Sequence, residues 1–317
     1  MVIATDDYAS IARTLRCFRS QGDPARLEIV IAAMGGAVLG RDAAELAGFP
    51  HVRVVDAGAG IDIGRAEALA IDAATAPFVV FAEGCAFPSP GFVDAIAAAC
   101  GAGRGDVIGP AMRNANPDSA TSWAAMQINY GRWLDDPQRG EWPDVPGHNS
   151  AYRRAAMASL GDDLDDVMPS LTAVQHALRA RGGLIYLEPS ACVEILNVSR
   201  PGWYLIDQFG KGRQFATHRR RCWSLVRRLG HVGAAPVIPL VRLGRILAAL
   251  HRKGRASEVW QGARFALMAA GLVTSAAGEC VGYVVGWRAS RGFFERSLHR
   301  PRFVRPEDRP PDDDQRQ

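Results

Sequence analysis

Through the first half of the chain, short apolar runs alternate with stretches whose apolar residues recur every three to four positions. Residues 2–4, 27–33, 52–55, 78–82 and 106–109 are predicted strands. Between them, residues 8–20 carry Ile11, Leu15 and Phe18 on one helical face, residues 64–75 carry Ala66, Leu69, Ala70 and Ala73, and residues 92–100 form a third helix. The strands are apolar almost throughout, so both of their faces are expected to be covered. Alternating strand and helix with such strands predicts an α/β fold built on a mainly parallel sheet.

The second half is less regular. Residues 114–142 are polar and rich in Trp, and read as an excursion over the site. Residues 146–161 (PGHNSAYRRAAMASLG) read as loop, helix and Gly cap, and 171–180 as a helix stopped at Arg181-Gly182-Gly183. Residues 184–187 form a strand halted by Pro189, with another at 192–196. Residues 232–250 are apolar with Arg242 and Arg245 on one side, the pattern of a basic helix lying in an anionic membrane surface. Residues 265–287 contain a single charge, Glu279, and are long enough to cross a bilayer core. Gly278, Gly282 and Gly286 recur there at every fourth position, the spacing that lets helices pack closely in membranes. The charge and the high Ala and Gly content weigh against full insertion, so the expectation is peripheral or shallow attachment through 226–290. Residues 291–317 are Pro-rich and charged, and are expected to be disordered.

Composition changes this picture in one respect. The net charge of +4 conceals 15 Lys/Arg against 24 Asp/Glu in residues 1–199, and 22 against 9 in residues 200–317. An acidic body with a basic tail implies an anionic partner for the tail. The basic residues lie among aliphatic ones rather than among aromatic stacking positions, which argues against nucleic acid. Six scattered cysteines without a C-x-x-C pair imply neither a zinc site nor a disulfide framework, and suit a reducing compartment. The N-terminus lacks the basic and apolar regions of a signal peptide. A cytoplasmic protein at the inner face of the membrane is the resulting expectation.

The most informative stretch is 64–90, GRAEALAIDAATAPFVVFAEGCAFPSP, in which an Arg-led helix leads into a buried strand, an acidic turn Glu83-Gly84-Cys85, and a Pro-Ser-Pro-Gly stop. Open α/β sheets hold ligands outside the carboxyl ends of such strands. Together with VIATDDYASIARTLRCFRSQ at the start, LEIVIAA, PGHNSAYRR and GKGRQFATHRR, this order and spacing resembles the family-2 glycosyltransferases over residues 1–225. The resemblance implies a GT-A domain, with 1–113 as nucleotide-binding half and 114–225 as acceptor half. It implies an inverting transfer from a nucleotide-sugar donor, and the membrane-attaching tail adds the expectation of a saccharide or lipid-linked acceptor in envelope glycan synthesis. Carried over residue by residue, Thr5, Asp7 and Tyr8 would cup the nucleoside, and Arg65, Lys211 and Arg213 would lie near the diphosphate. Glu83 would touch the donor and a divalent cation (Mg²⁺ or Mn²⁺), and His148 and Asn149 would shape the acceptor loop.

The chain departs from the family pattern where its chemistry is concentrated. The usual acidic pair is Glu83-Gly84-Cys85, leaving one carboxylate as metal ligand and a thiol, Cys85, that suits hard Mg²⁺ poorly. The position of the general base falls on Ser170 and Leu171, so an acid of the upstream cluster Asp162, Asp163, Asp165 and Asp166 is the candidate base. The expected downstream His is Ile195, beside Glu194. The alternative is a degenerate relative that binds without turnover. An unrelated nucleotide enzyme is less well supported, because no Gly-x-Gly-x-x-Gly or P-loop pattern follows a predicted strand.

Overall fold

The computed structural model describes residues 1–35, 44–134, 136–161, 163–286 and 300–310. These divide into two compact units, Met1–Arg113 with Trp133–Ile195, and Asn114–Arg132 with Leu196–Gln317. The division therefore falls near 195 rather than at 225. Residues 114–132 and 196–225 share a helical core with the C-terminal segment.

In the first unit, β1 (Val2–Thr5) is buried at every position and feeds α1 (Tyr8–Arg19), which Asp7 caps by accepting from the Ala9 amide. Next come β2 (Glu28–Ala33), β3 (His51–Asp56), α2 (Ile63–Ala73, capped by Asp62) and β4 (Phe78–Ala82). β1 pairs in parallel with β2 on one side and β4 on the other, and β2 with β3. The chain continues through β5 (Ala86–Pro88), α3 (Phe92–Gly101) and β6 (Val107–Asn114). After α4 (Ala120–Tyr130), which belongs to the second unit, it returns through β7 (Gly140–Glu141), β8 (Ala151–Arg153), α5 (Arg154–Ala158), α6 (Asp163–Val167), α7 (Leu171–Ala180) and β9 (Ile185–Ile195).

The strand order is β3-β2-β1-β4-β8-β6-β9-β5, with β7 also on β9. The fold is thus the α/β class expected from the alternation. Its N-terminal half is the parallel sheet, and β8 joins β4 and β6 antiparallel. Two elements differ from the expected ones. The Pro-Ser-Pro stretch opens with an edge strand, β5, which tolerates Pro88 because it lies at the end of the sheet. The two strands expected at 184–196 are one, and Pro189 falls between the part paired to β7 and the part paired to β5.

The second unit packs α4 with α8 (Pro201–Cys222), α9 (Leu225–Gly233), α10 (Ile238–Arg252) and α11 (Arg264–Val284). α4 lies inside the stretch expected to be an excursion. Its Thr121, Ser122 and Gln127 are as buried as Trp123 to Met126, so no polar stripe marks it in the sequence. Trp123, Tyr204, Leu250, Met268 and Leu272 form the core, and Leu243, Ile246 and Leu247 pack onto it. α8 and α11 meet through glycines: a Cβ at Gly212 would strike the Ser275 carbonyl, one at Gly278 that of Phe209, and one at Gly282 that of Arg213. Glu279, expected as a lone charge in an apolar run, is buried and paired with Arg242 at 3.2 Å. Burial pushes its carboxyl up, opposed by that guanidinium.

Residues 300–310, within the segment expected to be disordered, are ordered here. Phe303 stacks on Trp203 with ring centroids 4.1 Å apart, and Val304 is fully buried. Two apolar side chains amid the prolines account for this. Residues 287–299 and 311–317, with the ends of the 265–287 and 291–317 segments, lie outside the described residues.

Glu258 offers a check on this core. Hydrogen bonds from Arg255, then from the Trp123 indole at 3.0 Å, hold its carboxyl below the usual 4.5. A depressed folded value contributes stability above 4.5 that is lost as the pH falls through the folded value. The acid-induced drop in Tm should therefore be shallower in Glu258→Gln than in the wild type; identical profiles would remove Glu258 from the acid response.

Candidate active site at the carboxyl ends of β1 and β4

β1 sits where the order of the parallel strands reverses, with β2 and β3 to one side and β4 to the other. Such a switch point opens a crevice outside the strands' carboxyl ends, where ligands bind in open α/β sheets. Thr5 ends β1 and Asp7 lies two residues beyond it, and Glu83 follows β4 directly. β8 runs antiparallel to β4, pairing Ala151 with Val80, so the residues just before β8, His148 and Asn149, arrive at the same edge.

The loop before β8 is firmly held. The Asn149 amide donates to the Phe81 carbonyl at 2.6 Å, and Asn149 itself is buried with φ +65°, a left-handed conformation that Asn tolerates better than most residues. The Tyr152 hydroxyl donates to Gly147 O at 2.7 Å, and Gln175 Nε2 donates to that hydroxyl at 2.8 Å while its Oε1 accepts from the Val145 amide. The acidic turn is fixed from the other side: Thr14 Oγ1 donates to the carbonyls of Glu83 and Ala86. Gly84 is required there because a side chain would run into the Ser10 carbonyl.

What these elements bring together is a histidine between two glutamates. His148 Nε2 lies 2.9 Å from Glu67 Oε1, and His148 Nδ1 lies 3.9 Å from Glu83 Oε1. Asn149 Nδ2 donates to the other Glu83 oxygen at 3.3 Å. The Glu67 side chain, on α2, is only 3% exposed, against 32% for His148. A carboxylate buried so deeply needs a charge-assisted partner. An ionised Glu67 can only accept, which would place the proton on Nε2 and leave the Nδ1 side of the ring toward Glu83. A buried acid that fixes the tautomer of a partly exposed imidazole is how a general base is oriented.

Glu67 was not legible beforehand. It stands among alanines on a helix whose apolar stripe was assigned to Ala66, Leu69, Ala70 and Ala73. Its only signal is an acid three positions after Gly64 and four before Ile71, on the side that proves to be buried.

The other expected site residues are distributed as follows. The Thr5 hydroxyl donates to the Asp7 carbonyl and accepts from the Asp7 amide, and the Asp7 side chain caps α1; both shape the end of β1. Tyr8 turns to Glu45, to which its hydroxyl donates at 3.0 Å, and burial followed by that glutamate pushes its phenol up. Arg65 is exposed in the first turn of α2, three residues past the Asp62 cap. Asp163 is exposed and forms a surface ion pair with Arg181 at 2.8 Å. Asp162 lies outside the described residues, and of Asp165 and Asp166 the structure describes only the backbone of α6. Lys211 and Arg213 belong to the second unit, on α8. There Lys211 pairs with Asp207 at 2.7 Å, and Arg213 donates to the Gly286 carbonyl.

The acidic turn offers a hard cation a single carboxylate: Glu83 also receives the Asn149 side-chain amide, Cys85 is buried and offers a soft thiol, and among the described residues no three His, Cys, Asp or Glu side chains are grouped to share an ion. Mg²⁺ or Mn²⁺ held by Glu83 would take most of its ligands from the donor's own phosphate oxygens and water.

No family model matches this chain, and no curated protein does. Similar solved structures include S. aureus TarS, with a TM-score of 0.47 and 14% identity over 88% of this chain and 54% of that one. This chain thus spans about half the length of that TarS chain. TarS 1–349 in complex with UDP gives a TM-score of 0.45 and 12% identity, over 89% of each chain. The complex of TarS 1–349 with UDP-GlcNAc gives 0.44 and 13%, over 88% of this chain and 90% of that one.

Proposed function

We propose that the first unit is a nucleotide-sugar-dependent glycosyltransferase whose general base is His148, oriented by Glu67. The observation that carries this reading is the Glu67–His148–Glu83 arrangement at the switch point between β1 and β4. In the transfer, the acceptor hydroxyl oxygen bonds to the anomeric carbon as the bond from that carbon to the diphosphate oxygen breaks. The diphosphate leaves with the electron pair, the hydroxyl proton passes to His148 Nδ1, and a single displacement inverts the anomeric centre. The acceptor is a saccharide or a lipid-linked sugar. With one carboxylate in the acidic turn to hold a cation, arginine is assigned the larger share of the leaving group's charge, with Arg65 at the start of α2 the candidate.

A second reading, binding without turnover, is favoured by Ser170 and Leu171 at the family's base position and by the thiol in the acidic turn. Calorimetric titration of UDP, GDP, CDP and dTDP, with Mn²⁺ and with EDTA, separates the cases. The expected result is binding of one diphosphate with equal affinity in EDTA, weakened about 10–100-fold by Arg65→Ala, the worth of one charge-assisted hydrogen bond. Binding that requires Mn²⁺ would restore a metal to Glu83. Silence across the panel would overturn the transferase.

A further inference from the structure

α9 and α10 form a hairpin that water does not explain. α9 has no buried residue, yet Leu225, Val226 and Leu229 are exposed on it, Val226 at 81%. α10 turns Leu243, Ile246, Leu247 and Leu250 to the core of the second unit and still exposes Leu240 and Val241, with Val237 exposed just before it. The two helices are bent by 71° at their junction, so they do not form one straight span. From Ser224 to Lys253 there are six Lys or Arg and not one Asp or Glu. Across residues 201–286 there are 13 Lys or Arg against three acids, and all three are held internally: Asp207 by Lys211, Glu258 by Arg255 and Glu279 by Arg242.

We propose that this hairpin lies in the surface of an anionic bilayer, Leu225, Val226, Leu229, Leu240 and Val241 entering the acyl boundary while the arginines meet lipid headgroups. Two features select this occupant. An aliphatic surface mixed with excess positive charge is what an interfacial helix presents to acidic lipid. Arg242 is taken up by Glu279, and a second copy on the same face would set the other five basic residues against the same five with no carboxylate on the hairpin, which like-charge repulsion disfavours.

The inference also assigns α11. It is the one helix among those described that is long and apolar enough to cross a membrane, but its glycines are spent on α8 and its acid on Arg242. Insertion of α11 would carry the Lys211 and Arg213 helix in with it. α11 is therefore the internal strut of the unit, and the hairpin is its lipid-facing part. This holds whether or not the first unit transfers sugar.

The test is co-sedimentation of the intact protein with vesicles of phosphatidylcholine alone and of phosphatidylcholine with phosphatidylglycerol. Binding to the anionic vesicles only, weakened by salt, is expected. Arg227→Gln and Arg245→Gln should each reduce it roughly fivefold, and Val226→Asp with Leu240→Asp should abolish it. All four positions are at least partly exposed, so an unchanged Tm in the variants excludes unfolding as the cause. No binding to either vesicle, or equal binding that ignores salt and the arginine substitutions, would overturn the proposal. So would a dimer in lipid-free buffer that Val226→Asp dissociates, which would mean that a second copy covers the face.

Discussion

Replacing His148 with alanine is expected to lower the turnover of sugar transfer by about 10²–10⁴-fold, the usual worth of a positioned base, while leaving diphosphate affinity nearly unchanged. The imidazole is the group with a ring nitrogen near Glu83 and a buried acid behind it. It acts on the acceptor proton, so its loss belongs in kcat rather than in donor binding. Glu67→Gln tests the positioning. Glutamine fills the same space but removes the charge that fixes the tautomer, and a loss of about tenfold or more is expected. The loss should fall on kcat and leave diphosphate affinity nearly unchanged. A purely structural role for Glu67 would lower Tm without producing that split. Asp163→Asn should leave turnover unchanged, because that carboxylate is exposed and engaged by Arg181. If Asp163→Asn is inactive and His148→Ala active, the base lies in the acidic cluster after all.

The strands and helices of the first unit were legible wherever one period ran uninterrupted. β1, β2, β4, α1 and α2 lie within a residue or two of their predicted places, because each is bounded by a cap or a turn residue. What was hidden has a common cause: polar residues that are buried. α4 carries Thr121, Ser122 and Gln127 inside, so its pattern looked like loop. Glu67 is buried on α2 beside alanines, and only the register of β8 against β4, which brings His148 to it, reveals its role. Glu279 looked like the charge that forbids a membrane span. Its actual cost is met by Arg242, some forty residues away in sequence, which no local pattern records. Of the glycine repeat at 278, 282 and 286, the first two make a close backbone-to-backbone helix contact, while Gly286 lies beyond the end of α11 with φ +80°. The partner is α8, and the opposing Gly212 could be matched to Ser275 only in three dimensions.

That packing yields a change of sign. Gly→Ala inside a helix normally stabilises by about 1 kcal/mol, because alanine gives up less backbone freedom. At Gly244, on α10, no atom lies within 4 Å of the added Cβ, and Gly244→Ala should raise Tm. At Gly278 the Cβ would fall on the Phe209 carbonyl, which cannot rotate away as a side chain would. Overpacking of this kind costs about 1–3 kcal/mol and more where backbone must shift, so it exceeds the propensity gain. Gly278→Ala is therefore expected to lose on the order of 2 kcal/mol, a large part of the margin of a marginally stable domain. The urea midpoint, compared across wild type, Gly244→Ala and Gly278→Ala, reads this directly. Gly212→Ala, which meets the Ser275 carbonyl from the opposite helix, should cost a similar amount. The double variant should cost less than the two together, because helices already forced apart by one methyl have room for the next. Full additivity would mean that α8 and α11 do not move as rigid bodies at this contact, and a Gly278→Ala gain equal to that of Gly244→Ala would mean that they are not packed backbone to backbone at all.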